Sequence, residues 1–307
     1  MTAPTVESLI RGLAEDNISG AAELARDAAE VLAVLAKQAE ARDLGSFLGE
    51  LSATGRRVIQ AQPAMAPLFN LVNGVLSSLD GVGSLEEARQ RVEATARGWA
   101  EELASRGERV AAEALSLLSG GCTVLTHSRS STVLAALLLA RSRGLEFEVV
   151  CTESRALYEG RRVAEVLSKR GVRTTLVTDA SVSHVVPRVD LVMVGADSVS
   201  EEGLVNKMGT CGVALAARAH GVPFYALCGT EKLLPSSYPY FEIEVRDPEE
   251  VWPGYPQAVE VLNYYFEVTP LEYVSVLVTE KGMLTQAVLE EMLGRLKIHE
   301  MLLEKGT

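Results

Sequence analysis

Residues Leu191 to Thr210, reading LVMVGADSVSEEGLVNKMGT, hold the densest set of groups able to do chemistry. A short apolar run, Leu191-Val192-Met193-Val194, passes through Gly195 and Ala196 to a carboxylate, Asp197. Nine residues on, Asn206, Lys207, Gly209 and Thr210 open an Ala-rich helical pattern from Val213 to Arg218. Ligands of open parallel sheets bind outside the carboxyl ends of the strands. A carboxylate at one such end, followed by an amide, an amine and a free helix N-terminus, has the parts of an anionic-ligand site. Alone, Asp197 reads more simply as a turn residue and Lys207 as a solvated charge. The whole constellation favours a site.

Other apolar runs end in similar groups. The first delivers Thr126-His127-Ser128-Arg129-Ser130-Ser131-Thr132, a hydroxyl-rich turn entering a helix. Its backbone N–H groups and hydroxyls can hold a phosphate; ordinary N-capping would use only one of those hydroxyls. The second ends in Thr152-Glu153-Ser154-Arg155, then Glu159-Gly160-Arg161. Arg155 suits a bidentate phosphate contact, and an ion pair with a neighbouring glutamate fits its spacing equally well. A later run ends near Gly229-Thr230-Glu231-Lys232, where Lys232 is a second ammonium. His127 is the one histidine beside this set, and a backbone-bonded strand-end role suits it as well. No cluster has zinc spacing, and no GxSxG elbow or serine triad is present. GxGxxG and Walker patterns are missing too, so the sheet announces neither a dinucleotide nor a nucleoside triphosphate.

The elements that must position these groups follow from periodicity. Residues 1–118 read as a helical domain: Leu24, Ala28, Val31 and Leu35 share one helix face. Asn17 and Ser19 offer N-caps before that run. Gly45 and Gly55 punctuate the next helix, and Pro63 and Pro67 mark a boundary. Val92, Ala96, Trp99 and Leu103 line one face of a long stretch from Leu85 to Leu118. From residue 119 to 307 short apolar runs (Cys122–Leu125, Phe147–Cys151, Thr174–Val177, Leu191–Val194, Phe224–Leu227 and Val274–Val278) alternate with helical patterns at Thr132–Ser142, Gly160–Arg170 and Val213–Ala219. Alternation of this kind builds βαβ units. The fold class is therefore α/β: an all-α N-terminal domain followed by a Rossmann-like, doubly wound, mostly parallel sheet. Ser236 to Tyr255, rich in Pro and Tyr, reads as an ordered excursion.

Composition narrows the function. Nearly half of the 307 residues are hydrophobic but only 5% are aromatic, so the core rests on Val, Leu and Ala. A net charge of −12 argues against a generic nucleic-acid binder. Four dispersed cysteines without a CxxC pair suit a reducing compartment. The N-terminus lacks a signal-peptide pattern, and no apolar run reaches the roughly 18 residues of a membrane span. A soluble, cytoplasmic protein is expected.

Several segments together resemble one family. They are Val124-Leu125-Thr126-His127-Ser128, Thr152-Glu153-Ser154-Arg155 with Glu159-Gly160-Arg161, Gly195-Ala196-Asp197, Asn206-Lys207-Met208-Gly209-Thr210, Val222-Pro223-Phe224-Tyr225, Asn263 with Phe266-Glu267-Val268-Thr269-Pro270, and Val278-Thr279-Glu280-Lys281-Gly282. In that order they are similar to the superfamily uniting the alpha, beta and delta subunits of translation initiation factor 2B with methylthioribose-1-phosphate and ribose-1,5-bisphosphate isomerases. Asn17-Ile18-Ser19-Gly20-Ala21 and Gln62-Pro63-Ala64-Met65-Ala66-Pro67 look like family segments that reach toward the sugar-phosphate site.

The resemblance implies a helical domain on a Rossmann-like one. It also implies a phosphorylated sugar or nucleotide held between them by Ser19, Gly20, Ala21, Arg129, Ser130, Ser131, Arg155, Asn206, Lys207 and Lys232. It implies a catalytic cysteine after Thr-His, working with Asp197. Here that position is Ser128, and a serine hydroxyl is far too weak an acid to trade protons at pH 7 without an adjacent base. Gln62 stands where the isomerases tend to have arginine. The favoured expectation is therefore an alpha-subunit-like binder without efficient catalysis. An aldose–ketose isomerase using Asp197 as acid/base, with Ser128 orienting the substrate, is the alternative, and an empty scaffold is a third. No cofactor or metal is expected, nor direct nucleic-acid or membrane contact. A homodimer or higher oligomer is implied, with regulatory protein partners allowed.

Overall fold

The computed structural model describes residues 4–16, 19–235, 238 and 242–303. In chain order the first helices are α1 (Val6–Glu15), α2 (Ala21–Gln38), α3 (Leu44–Ala61), α4 (Ala66–Ser77) and α5 (Leu85–Ala114). There follow β1 (Thr123–Thr126), α6 (Ser131–Ser142), β2 (Glu148–Thr152), α7 (Glu159–Lys169), β3 (Arg173–Val177) and α8 (Val182–Val185). Next are β4 (Leu191–Val194), β5 (Ser198–Ser200), β6 (Gly203–Lys207), α9 (Thr210–His220) and β7 (Phe224–Leu227). The chain closes with β8 (Phe266–Thr269), β9 (Val276–Thr279), β10 (Gly282–Leu284), α10 (Gln286–Gly294) and α11 (Glu300–Leu303).

Two compact units result. One comprises residues 1–105, 231–241 and 294–307, the other residues 106–230 and 242–293. The division falls inside α5, and the first unit takes two later segments of the chain.

The first unit is helical. Leu24, Ala28, Val31 and Leu35 of α2 are all buried, as their four-three-four spacing requires. Gly55 lies inside α3 because a β-carbon there would come 2.5 Å from Val72 Cγ1 of α4. Helix α2 starts one residue later than its expected Ser19 cap: Gly20 is the N-cap, and its N–H donates to Glu23 Oε2 at 2.9 Å. The other expected cap, Asn17, lies outside the described residues, as does part of the Ser236–Tyr255 excursion.

In the second unit seven strands run in the order β10-β9-β7-β4-β1-β2-β3. All neighbours are parallel except β9 and β10. Buried Val124, Val149, Cys151 and Met193 pack with Ala136, Leu137, Val163 and Leu167 of the flanking helices. Aromatic residues are scarce, and short aliphatic side chains fill the space between sheet and helices. A second sheet, β5-β6-β8, is antiparallel. The sequence shows no sign of it, and Asn206 and Lys207, expected to open a helix, instead end strand β6. All five β6 residues are buried, so the alternation that marks a half-exposed strand is missing.

Candidate functional site

The strand order reverses beside β1: β2 and β3 lie on one side, β4, β7 and β9 on the other. Such a reversal opens a crevice at the carboxyl ends of the two diverging strands. Ser128 follows β1 by two residues and Asp197 follows β4 by three, and Thr126 and Met193 are register partners. The two groups singled out for chemistry therefore leave adjacent parallel strands at the switch point. Packing there is close. A β-carbon on Gly195 would come 2.6 Å from both Cβ and Oγ of Ser130. Ser130 Oγ accepts the Val133 N–H at 3.3 Å as the N-cap of α6, so that hydroxyl serves the helix. Ser131 is exposed on the first turn of α6, Arg129 is half-buried, and Asp197 is half-buried with its N–H donating to Val205 O at 2.8 Å.

His127 ties three loops together. Its Nε2 lies 2.8 Å from Met208 O and its Nδ1 lies 2.6 Å from Thr152 Oγ1. A carbonyl can only accept, so Nε2 carries the proton and Nδ1 accepts from the threonine hydroxyl. Burial pushes the imidazole pKa below its ordinary value; the bond to Met208 and the Asp179 charge pull the other way. Gly209, at φ 106°, leaves room for the ring: a β-carbon there would come 2.9 Å from His127 Cε1.

Lys207 is buried, with its ammonium 2.7 Å from Glu159 Oε1 and 4.6 Å from the centre of the Tyr265 ring. Glu159 Oε2 is buried without a hydrogen-bond partner. The N-terminus of α9 already holds an anion of its own. Glu267 Oε1 accepts the N–H groups of Gly209 (2.6 Å) and Cys211 (2.9 Å). The free helix N-terminus expected there is thus occupied by a carboxylate, which β8 supplies by pairing with β6. Asn206 Nδ2 donates to Thr210 Oγ1 at 3.0 Å.

Arg155 is exposed, with its guanidinium donating to Tyr158 Oη and Val251 O at 2.8 Å each. It forms one wall of an apolar cleft of about 710 Å³ with Met208, Val251, Trp252, Leu262 and Tyr264. Ser19, Gly20, Ala21 and Lys232 belong to the first unit; Ser19 N–H donates to Asp16 Oδ1 at 2.8 Å, and Lys232 is buried. Gln62, in the same unit, donates from Nε2 to the Leu13 and Asp16 carbonyls at 3.0 Å each, so it braces backbone.

No cysteine takes over for Ser128. Cys122 is buried ahead of β1, and burial pushes the Cys151 thiol up to about 12. The Cys211 thiol is raised by burial and by Glu267, and Cys228 is fully buried. Ser128 (φ 66°), Ser154 (φ 59°) and Tyr158 (φ 57°) are the non-glycine residues with positive φ among those described. Each such conformation costs about 1–3 kcal/mol and persists only where surroundings impose it. All three follow β1 or β2. No local sequence pattern gives a role to Ser154, Asp179 or Tyr265, whose partners Ser128, the Ser154–Arg155 backbone and Glu250 lie 15 to 26 residues away.

The profile described as the Initiation factor 2 subunit family matches residues 17–286. The chain belongs to that family. It is 33% identical over 292 residues to ribose 1,5-bisphosphate isomerase of Archaeoglobus fulgidus, covering 92% of each chain. It is 30% identical to methylthioribose-1-phosphate isomerase of Bacillus licheniformis, covering 94% of this chain and 87% of the other. The crystal structure of translation initiation factor eIF-2B from Pyrococcus horikoshii OT3 superposes with a TM-score of 0.80 at 28% identity, covering 92% of this chain and 97% of that one. No described helix is long and apolar enough to cross a membrane.

Proposed function

We propose that this family member is an aldose–ketose isomerase acting on a pentose phosphorylated at C1. The observation that carries the proposal is the placement of Ser128 and Asp197 after the adjacent strands β1 and β4, at the reversal of strand order. Similarity to two sugar-phosphate isomerases along most of the chain moves the balance away from a non-catalytic binder.

In the proposed reaction the hydrogen on C2 passes to C1, and C2 becomes a carbonyl. That hydrogen moves as a hydride while the bond from C1 to the ring oxygen breaks, its electron pair staying on that oxygen, which takes a proton from water; the O2 proton leaves to Asp197, which returns it to water. Electrons balance within the sugar, so the chemistry calls for no cofactor. Asp197 is the base, and a positioned base contributes about 10²–10⁴-fold. Ser128 orients the sugar by hydrogen bonding. Arg129, Ser131 and Asn206 are the proposed phosphate and hydroxyl contacts of this unit. Lys207 contributes a charge already shared with Glu159, and Ser19, Gly20, Ala21, Arg155 and Lys232 remain proposed ligand contacts. A cytoplasmic homodimer completes the proposal, and light scattering tests the dimer.

Ser128 in place of a thiol supports a second reading, a sugar-phosphate binder that acts through protein partners. Ketose formation from methylthioribose 1-phosphate or ribose 1,5-bisphosphate, followed by NMR, separates the two. The isomerase predicts turnover that rises in Ser128→Cys. Thermal stabilisation by either sugar with no ketose formed would favour the binder; saturation at 100 times Kd is worth about 2.7 kcal/mol.

A further inference from the structure

Ser128 holds a backbone conformation that serine does not choose for itself, and the structure contains the device that imposes it. Its N–H donates to Ser154 Oγ at 2.8 Å. Ser154 is fully buried and is itself left-handed, at φ 59°. Its own backbone is gripped by the Asp179 carboxylate just after β3: Oδ1 accepts the Ser154 N–H and Oδ2 the Arg155 N–H, both at 2.8 Å.

The hydroxyls complete a one-directional chain. Because the Thr152 proton is committed to His127 Nδ1, Thr152 Oγ1 accepts from Ser154 Oγ, 3.2 Å away. Thr152 in turn donates to His127 Nδ1, and His127 Nε2–H donates to Met208 O. The Ser154 hydroxyl also lies 3.4 Å from the Thr152 carbonyl oxygen, a second acceptor on the same residue. Three successive strand ends, β3, β2 and β1, are thereby linked up to Ser128, which follows the strand next to the one that Asp197 follows.

We infer that Asp179 is a positioning residue for the site, acting through Ser154 on the backbone of Ser128. The inference rests on the isomerase reading above. Asp179 touches no reacting atom. Its two oxygens fix the loop after β2 in the one conformation that aims Ser154 Oγ at the Ser128 N–H. Without that grip Ser128 relaxes toward negative φ, moving its hydroxyl and the entry to α6. Reacting groups displaced by an ångström lose about 10²-fold in rate. Asparagine at 179 keeps the shape but can accept only one of the two N–H groups, since its amide nitrogen would face the other.

Steady-state kinetics of full-length Asp179→Asn and Ser154→Ala on a sugar phosphate that the wild type turns over test this inference. Each variant is expected to lower kcat at least about tenfold with a much smaller change in KM. The pair should be no worse than the stronger single variant. In a Ser128→Gly background, where glycine adopts positive φ at no cost, Asp179→Asn should add nothing. If Asp179→Asn fails to fold, Ser154→Ala carries the test, since it deletes one oxygen. A lowered melting temperature with kcat within twofold of wild type would make Asp179 merely structural and overturn the inference alone. A folded wild type that turns over no sugar phosphate would overturn the isomerase reading and this inference with it.

Discussion

Lys207 Nζ and Glu159 Oε1 are 2.7 Å apart, on side chains 4% and 15% exposed. The lysine that looked in sequence like a free anion ligand is thus half of an internal ion pair joining the end of β6 to the start of α7. Breaking one side of a buried pair leaves an uncompensated charge and costs about 3–5 kcal/mol, whereas removing both can be nearly neutral. Glu159→Ala should therefore lower the urea midpoint sharply, and Glu159→Ala with Lys207→Met should recover most of the loss. Equal damage in the single and double variants would contradict the pairing.

Two glycines give opposite expectations for the same substitution. A β-carbon on Gly160 would come 1.7 Å from the Thr152 carbonyl oxygen, a backbone atom that cannot step aside. Gly160→Ala should yield little soluble protein. Gly212, inside α9, has nothing within 4 Å of its would-be β-carbon. Gly212→Ala should raise stability by about 0.5–1 kcal/mol through helix propensity, measured by chemical denaturation.

Gly195→Ala tests the closeness of β4 and α6. Its methyl would meet Ser130 Cβ and Oγ at 2.6 Å, so the α6 cap must shift beside Asp197. Turnover should fall at least about tenfold, since misplaced groups lose rate steeply. The melting temperature should fall only slightly; wild-type turnover would show that the crevice tolerates the shift.

His127 makes stability depend on pH. Burial holds its folded pKa below the ordinary histidine value. Between that depressed value and about 6.5 the unfolded chain binds a proton that the folded chain does not. The contribution is fully present above about pH 6.5 and is lost as pH falls through the window. The melting temperature should drop more between pH 7.5 and 5.5 in wild type than in His127→Gln. Identical drops would assign the pH sensitivity to other groups.

Much of the parallel sheet was legible because buried parallel strands announce themselves as short apolar runs. Leu191–Val194 and Phe224–Leu227 have the same bounds in sequence and structure. The antiparallel β5-β6-β8 sheet was not legible. Gly203 permits its tight hairpin, where a β-carbon would meet Val268 Cγ1 at 2.5 Å, and no local pattern reports a partner some 60 residues away. The same limit hid the Glu267 carboxylate that fills the N-terminus of α9. Ser128 and Asp197 could be named because each follows an apolar run. That their strands are neighbours was a fact of topology, visible only in the sheet.

Ketose formation by wild type and Asp197→Asn, on methylthioribose 1-phosphate and ribose 1,5-bisphosphate, decides whether Asp197 is the base of an isomerase. Measurable wild-type turnover on at least one sugar is expected, with a loss of about 10²-fold or more in Asp197→Asn and the fold intact by circular dichroism. No turnover by folded wild type, or equal turnover by the two proteins, would contradict it.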